Sequence, residues 1–293
     1  PGTGYKEIDR FVTTEANGPS SQFVADTLYP KDEYQSESID LREGELLGLR
    51  AGFGAFEAER EASFFSTGGL AAVHSSGRDR ESIWNGLQRK ETYGTSGDRI
   101  LLWFDLVSES SDIPMGGTIK TNTNPIFRVK AVGAFKQKPG CPDYSSTNIT
   151  DEEIERICKN ECYNPSDERK IITRIEVIKV TPQAFKGEQV DGLISDPWKV
   201  FNCEPNQQGW EVQFSDDEFN SASRDASYYV RAIQEPSPAV NAGSLRCTYD
   251  DEGNCLEVNI CYGDNRTAKD DDCLVMSEER AWSSPIYLNY YNL

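Results

Sequence analysis

The spacing of apolar positions changes near residue 107. Before it, Gly69–Val73 is a short apolar strand whose end delivers His74, and Ser75–Arg78 is a loop. Asp79 then stands where a helix N-cap belongs. Over Arg80–Lys90, Ile83, Trp84 and Leu87 fall on one helical face, the face such a helix is expected to bury. Tyr93-Gly94-Thr95-Ser96-Gly97-Asp98 breaks that helix as a glycine-rich loop, and Arg99–Leu106 reads as the next strand. The order is strand–helix–strand. Further upstream, Leu46, Leu47, Leu49, Phe53 and Phe56 have loosely helical spacing, interrupted by Gly48, Gly52 and Gly54.

After residue 107 the period shortens to two. Phe127, Val129 and Ala131 alternate with Arg128 and Lys130, and Val212 and Phe214 alternate with Glu211 and Gln213. Ile171–Val180, Ser227–Gln234 and Pro285–Tyr291 are further strand candidates, rich in β-branched and aromatic residues. Thr150-x-x-Glu153 is a capping box before Ile154, Ile157 and Cys158, so one helix interrupts the strands. Strands with irregular connections predict an antiparallel sandwich over 107–293.

Composition narrows the chemistry. The chain has 49 acidic and 30 basic residues, a net charge of −19, and no basic stripe for nucleic acid. The longest apolar run, Ile100–Phe104, is strand-sized, so no membrane span is expected. Pro1-Gly2-Thr3-Gly4 lacks the charged start and apolar stretch of a secretory leader, and without an initiator Met the chain reads as processed or as a fragment. A single histidine, His74, means that a multi-His metal site cannot be built from this chain alone.

The eight cysteines, at 141, 158, 162, 203, 247, 255, 261 and 273, read as a disulfide framework of an oxidising compartment, extracellular or periplasmic. Zinc is the rival reading, but no Cys-x-x-Cys is present. Proximity favours Cys247–Cys255 and Cys261–Cys273. Cys158 and Cys162 share a helix face and are expected to pair with Cys141 and Cys203, in either order. Sequon-type triplets at Asn148 and Asn265 fit an exported, glycosylated chain.

Several strings together resemble one family. They are Pro1–Glu7, Gly68–His74, Gln88–Ile100, Glu161–Arg169, Tyr229–Pro236 and Glu279–Tyr287. The set is similar to the C-terminal part of the domain-of-unknown-function family 3604, whose members resemble the polymerase-and-histidinol-phosphatase (PHP) metallohydrolases. The resemblance implies a longer protein whose upstream half carries the His-x-His strand and the other ligands of a metal-binding distorted barrel. It also implies that the last ligand motif, an Asp-x-His, lies just upstream of Pro1-Gly2-Thr3-Gly4. None of those ligands maps onto this chain, so a divalent metal is implied for the full-length family alone.

The expected fold is therefore α+β: the remnant of a PHP-like distorted β/α barrel over 1–106, then a disulfide-stapled antiparallel sandwich-like domain over 107–293. The implied function is the C-terminal portion of an exported metal-dependent hydrolase of phosphoesters or similar anionic esters, inactive without its metal-ligand half. His74, Tyr93, Thr95, Ser96 and Arg99 are substrate-side candidates, because active sites of such barrels lie at strand C-termini. The other reading of these residues is a Gly-bounded turn with a hydrogen-bonded histidine.

The acidic loops carry calcium candidates Asp250, Asp251, Asp264, Asp270, Asp271 and Asp272, against which stands ordinary solvated charge. The five scattered tryptophans read as core rather than a sugar platform. The alternative function is a non-catalytic extracellular structural or self-assembling protein, a fibre or surface component. The expected partner is the missing N-terminal half or further copies of the chain, with no nucleic acid and no membrane span.

Overall fold

The computed structural model describes residues 69–144, 150–152, 154, 162–240, 246–260, 271 and 273–291. The chain passes through β1 (Leu70–Val73), α1 (Arg80–Gln88), β2 (Thr92–Thr95), β3 (Leu101–Leu106), β4 (Ile113–Pro114), β5 (Thr118–Thr121), β6 (Ile126–Val132) and β7 (Phe135–Gln137). It continues with β8 (Pro165–Arg169), β9 (Ile172–Val180), β10 (Ile194–Asn202), β11 (Trp210–Ser215), α2 (Phe219–Ala222) and β12 (Ala226–Gln234). Then come β13 (Ser237–Val240), β14 (Cys247–Tyr249), β15 (Cys255–Val258), β16 (Leu274–Ser277), β17 (Arg280–Ser283) and β18 (Ile286–Tyr290). Contacts divide the chain into a sandwich unit (69–138, 165–236 and 278–293) and a cysteine-rich unit (1–68, 139–164 and 237–277).

Period-two burial builds the sandwich unit. Leu102, Phe104 and Leu106 of β3 and Phe127, Val129 and Ala131 of β6 all turn inward, and β6 pairs antiparallel with both β3 and β11. With β4 at the far edge, these strands form a four-stranded sheet. Facing it is an eight-stranded sheet centred on β12. On one side of β12 lie β9 and then β10; on the other lie β17, β2 and β1, and also β18 with β5. Its pairings are antiparallel except that of β18 with β5.

Inward residues of both sheets meet in one apolar core. Phe127 is its aromatic centre, with ring centroids 5.4 Å from Phe104, 5.3 Å from Phe214 and 4.7 Å from Tyr228 of the opposite sheet. Such offset and tilted ring pairs add to what area burial alone contributes.

Residues 69–106 depart from the barrel-like expectation. β1 runs antiparallel to β2, while β3 leaves for the four-stranded sheet and pairs with β6 across the expected 106/107 boundary. Tyr93–Thr95, expected as part of a loop running to Asp98, instead belong to β2, the strand between β1 and β17, because Gly94 accepts extended pairing opposite Ala71 and Trp282.

The helix also docks by an unexpected face. Asp79 caps α1 as expected, accepting from the Ser82 N–H at 2.9 Å. Gly86 is the buried residue of α1, whereas Ile83, Trp84 and Leu87 are exposed at 36%, 58% and 48%. A Cβ at Gly86 would lie 2.5 Å from the His74 carbonyl oxygen, so this glycine lets the helix backbone lie against the end of β1.

In the cysteine-rich unit, β13 pairs with β16, and β14 with β15, in two antiparallel ladders. Cys247–Cys255 closes the β14–β15 hairpin, and Cys141 is bonded to Cys162. Cys273 is also disulfide-bonded. Cys203 corrects the expected framework: it is a free thiol. It follows β10 in the sandwich unit, where its N–H donates to the Thr173 carbonyl, while Cys141 and Cys162 belong to the other unit and bond each other. Asp151, Glu152 and Ile154 are helical as the capping box predicts, with the Ile154 N–H donating to the Thr150 carbonyl at 2.9 Å. The segment at Leu46–Phe56, Cys158, Cys261, Asn148, Asn265, Asp264, Asp270 and Asp272 lie outside the described residues.

Candidate functional site

His74 is held on several sides. Its backbone N–H donates to the Glu91 carbonyl at 2.8 Å, and its Nε2 lies 2.8 Å from the Leu102 carbonyl, which as acceptor requires a proton on that nitrogen. The ring packs 5.5 Å from Tyr93 and 5.8 Å from Trp103. Burial pushes the Tyr93 hydroxyl up from its ordinary pKa. These contacts fit the hydrogen-bonded histidine of the second sequence reading.

Beside this ring, strand alternation puts Trp103 and Asp105 on the outer face of β3, opposite Lys130 and Arg128 of β6. Arg128 bridges Asp105 at 3.3 Å and Asp112 at 2.5 Å. Burial raises the Asp105 carboxyl, with Arg128 opposing, whereas the Ser108 N–H and then Arg128 lower that of Asp112. The group is a half-exposed cluster of one cation between two carboxylates, next to an aromatic-flanked imidazole.

Thr95, Ser96 and Arg99 do not join it. Thr95 ends β2 and Ser96 follows it at a polar corner where several segments meet, with Arg99 three residues further on. Ser96 exchanges backbone bonds with Arg280: its N–H donates to the Arg280 carbonyl at 2.9 Å, and its Oγ accepts from the Arg280 N–H at 2.8 Å. The same hydroxyl donates to Glu279, a carboxylate only 5% exposed. Two residues on, Asp98 accepts from Lys170 Nζ at 2.5 Å and from the amide of the fully buried Gln234. The Gln234 Oε1 in turn accepts from the Ala134 N–H at 3.3 Å. Thr95 is buried and accepts locally from the Gly97 N–H at 3.3 Å, and Arg99 is exposed.

Thus the strings Gln88–Ile100, Tyr229–Pro236 and Glu279–Tyr287, far apart in the chain, converge on one corner. Asp98, Lys170, Gln234 and Glu279 were missed by sequence reasoning. Asp98 lies 136 positions from Gln234, and nothing local links them. The corner can tie four segments together. Every polar group named in it is matched within the fold, which suits a structural anchor better than a reacting centre.

The described calcium candidates are used locally. Asp250 accepts from the backbone N–H groups of Glu252 at 3.0 Å and Asn254 at 2.8 Å, and from the Asn254 amide at 3.0 Å. Those bonds, the Asn254 side chain first, hold its carboxyl below the ordinary range. Asp271 pairs with Arg246 at 2.8 Å and caps the Cys273 N–H at 2.8 Å. Among the described residues no three His, Cys, Asp or Glu side chains group as metal ligands would, and Asp251 joins no such group. No helix among them is long and apolar enough to cross a membrane.

The class is set by this geometry: a disulfide-bearing protein built largely of antiparallel sheets, with its polar corner and its histidine both in a two-sheet sandwich. Residues 30–138 match the family described as "Protein of unknown function (DUF3604)", which bears out the family resemblance over that segment. The matched segment contains the strings Gly68–His74 and Gln88–Ile100. No curated protein and no solved structure matches the chain.

Proposed function

We propose that this chain is the accessory, sandwich-bearing portion of an exported PHP-like metal-dependent hydrolase acting on phosphoesters or similar anionic esters. Metal chemistry belongs, on this reading, to residues outside the chain, since a single histidine cannot supply a multi-His ligand set. The strands of residues 69–106 serve the two sandwich sheets, so on this reading the metal-binding barrel is built from residues other than these. The observation that carries the reading is the polar corner, where the strings of the family resemblance meet as mutually satisfied anchors: Ser96 on Glu279, and Asp98 on Lys170 and Gln234. The disulfides fit the oxidising compartment that export supplies. His74, held beside Tyr93 and Trp103, remains the substrate-side candidate on this reading, while the neighbouring Arg128 is already taken up by the carboxylates of Asp105 and Asp112.

The alternative, a self-assembling fibre, needs an open sheet edge. Among the edge strands of the two sheets, β10 carries Pro197, which has no N–H, and a register shift between Ser195 and Lys199, both of which hinder strand addition at that edge.

The test is hydrolysis of a generic phosphodiester with Mn²⁺ or Zn²⁺, by the chain alone and by the chain joined to a family N-terminal half bearing the His-x-His strand. Turnover is expected in the joined protein alone. Metal-dependent turnover by the isolated chain, or none in either protein, would overturn the proposal.

A further inference from the structure

The two sheets of the sandwich are joined at one end by charge as well as by apolar packing. Asp216 follows the last residue of β11, at the edge of the four-stranded sheet, and is 1% exposed. Its backbone N–H donates to the Pro125 carbonyl at 3.1 Å, just before β6 of the same sheet. Its carboxylate reaches the opposite sheet, accepting from Lys179 Nζ of β9 at 2.5 Å and from the Tyr228 hydroxyl of β12 at 2.5 Å. Lys199 of β10 makes a second crossing, donating to the Ser215 carbonyl at 2.8 Å. The two ammonium groups flank the Trp198 ring, at 5.3 Å and 4.5 Å from its centroid.

We propose that Asp216, Lys179 and Tyr228 form an acid-released latch, whose opening frees residues 210–225 from the eight-stranded sheet while β9 and β12 remain paired. Among the described residues β11 is an edge strand paired with β6 alone, and beyond that ladder the segment is held by buried Phe214 and Phe219, by Ser223 and Asp225 on Tyr290, and by Arg224 on Glu188, a second ion pair that acid would also weaken. Protonating Asp216 would leave the Lys179 ammonium, itself only 16% exposed, without its counter-charge.

The groups facing the carboxylate set the direction. Lys179 and Tyr228 face it from β9 and β12, and Lys199 lies nearby on β10. On its own loop, the Glu218 N–H donates to Asp216 at 3.1 Å, and the Asp217 carboxylate is taken up by the Ser215 hydroxyl at 2.6 Å. Asp225, past α2, is bonded to the Tyr290 N–H at 2.7 Å. Burial pushes the Asp216 carboxyl up, but Lys179 and Tyr228 outweigh it and hold it below the ordinary 3.8. A depressed carboxylate lends its stability above the unfolded value and loses it as the pH falls through the folded one. The latch therefore stays shut at neutral pH and opens as the pH falls through the lowered value of the folded carboxyl.

Limited digestion of the full chain with pepsin at stepped acidic pH, with peptide mapping of the cuts, tests this. Cuts within residues 210–225, which hold Phe214 and Phe219, are expected to appear as the pH falls below about 4 and before cuts within β9 or β12. Tyr228→Phe removes one bond to the charged carboxylate but no charge, and is expected to move the onset up by about one pH unit. Simultaneous cutting of all three segments, or an onset unmoved in Tyr228→Phe, would overturn the latch. Asp216→Asn should expose 210–225 already at the highest pH used; if that variant does not fold, the Tyr228→Phe comparison decides alone.

Discussion

The two units of this protein are held together by different means. In the sandwich unit, strands from two sheets turn Leu102, Phe104, Phe127, Val129, Val177, Tyr228 and Val230 into one core, each at most 1% exposed. In the cysteine-rich unit, the hairpin β14–β15 has no such face: every residue of β15 is exposed, and Tyr249, Leu256 and Val258 are 50%, 69% and 48% accessible. The Cys247–Cys255 bond does there what burial does in the sandwich. An isolated two-stranded ribbon is marginal in water, so a covalent tie is the available way to keep it shut.

This contrast can be broken at its strong end first. Phe127→Ala removes the ring at the centre of the aromatic cluster and should cost about 4 kcal/mol in denaturant unfolding of the sandwich unit. The Cys247–Cys255 hairpin responds on a smaller scale. Replacing both cysteines by serine reopens a loop with a sequence separation of 8 and should cost about 2.5 kcal/mol of hairpin stability in the chain-entropy model. Amide exchange of 247–258 should accelerate while the core strands β9 and β12 keep their protection; a parallel loss in both would show that the units are not independently stabilised.

Within the sandwich unit, Gly86→Ala sharpens the comparison between packed core and docked surface helix. The new methyl must displace the α1 backbone from the His74 carbonyl, and the expected cost of about 2 kcal/mol should come with increased exchange at residues 80–88. Smallest of all is Arg174→Ala on the outer face of the large sheet. Arg174 pairs bidentately with Glu278 at 2.7 and 2.8 Å and bridges Glu176 at 2.9 Å. Solvent screening limits the loss to about 0.5 kcal/mol, and added salt should shrink it further.

Much of the architecture is legible along the chain where burial repeats every second residue. β6, β9, β11, β12 and β18 fall where alternating or β-branched runs predict them, because a strand half-buried in a sandwich writes its own period into the sequence. β10 escapes that reading: Asp196-Pro197 and the register shift between Ser195 and Lys199 interrupt its alternation. β2 escapes because Thr92-Tyr93-Gly94-Thr95 has turn-like composition, and its extended form is imposed by β1 and β17 on either side. The helix was legible as a helix, cap included, but not by its docking face. A close backbone approach at Gly86 outranks the apolar stripe of Ile83, Trp84 and Leu87.

The candidate site divides the same way. The rarity of histidine and the family strings are properties of the chain alone, and they point to His74 and to residues 93–99 without any fold. Only the tertiary structure separates them, setting His74 beside Trp103 and Arg128's carboxylates, and Ser96 and Asp98 against Glu279, Lys170 and Gln234.

By itself the sequence determined where the regularly alternating or β-branched strands lie, where α1 begins and that a disulfide framework is present, because periodicity, capping and cysteine content are local or additive. Tertiary structure decided strand partners, the free thiol of Cys203 and the polar pairs of the sandwich. Those depend on which distant segments pack together, and a sheet chooses its neighbours by the burial of whole faces, a collective energy that no single stretch of residues carries.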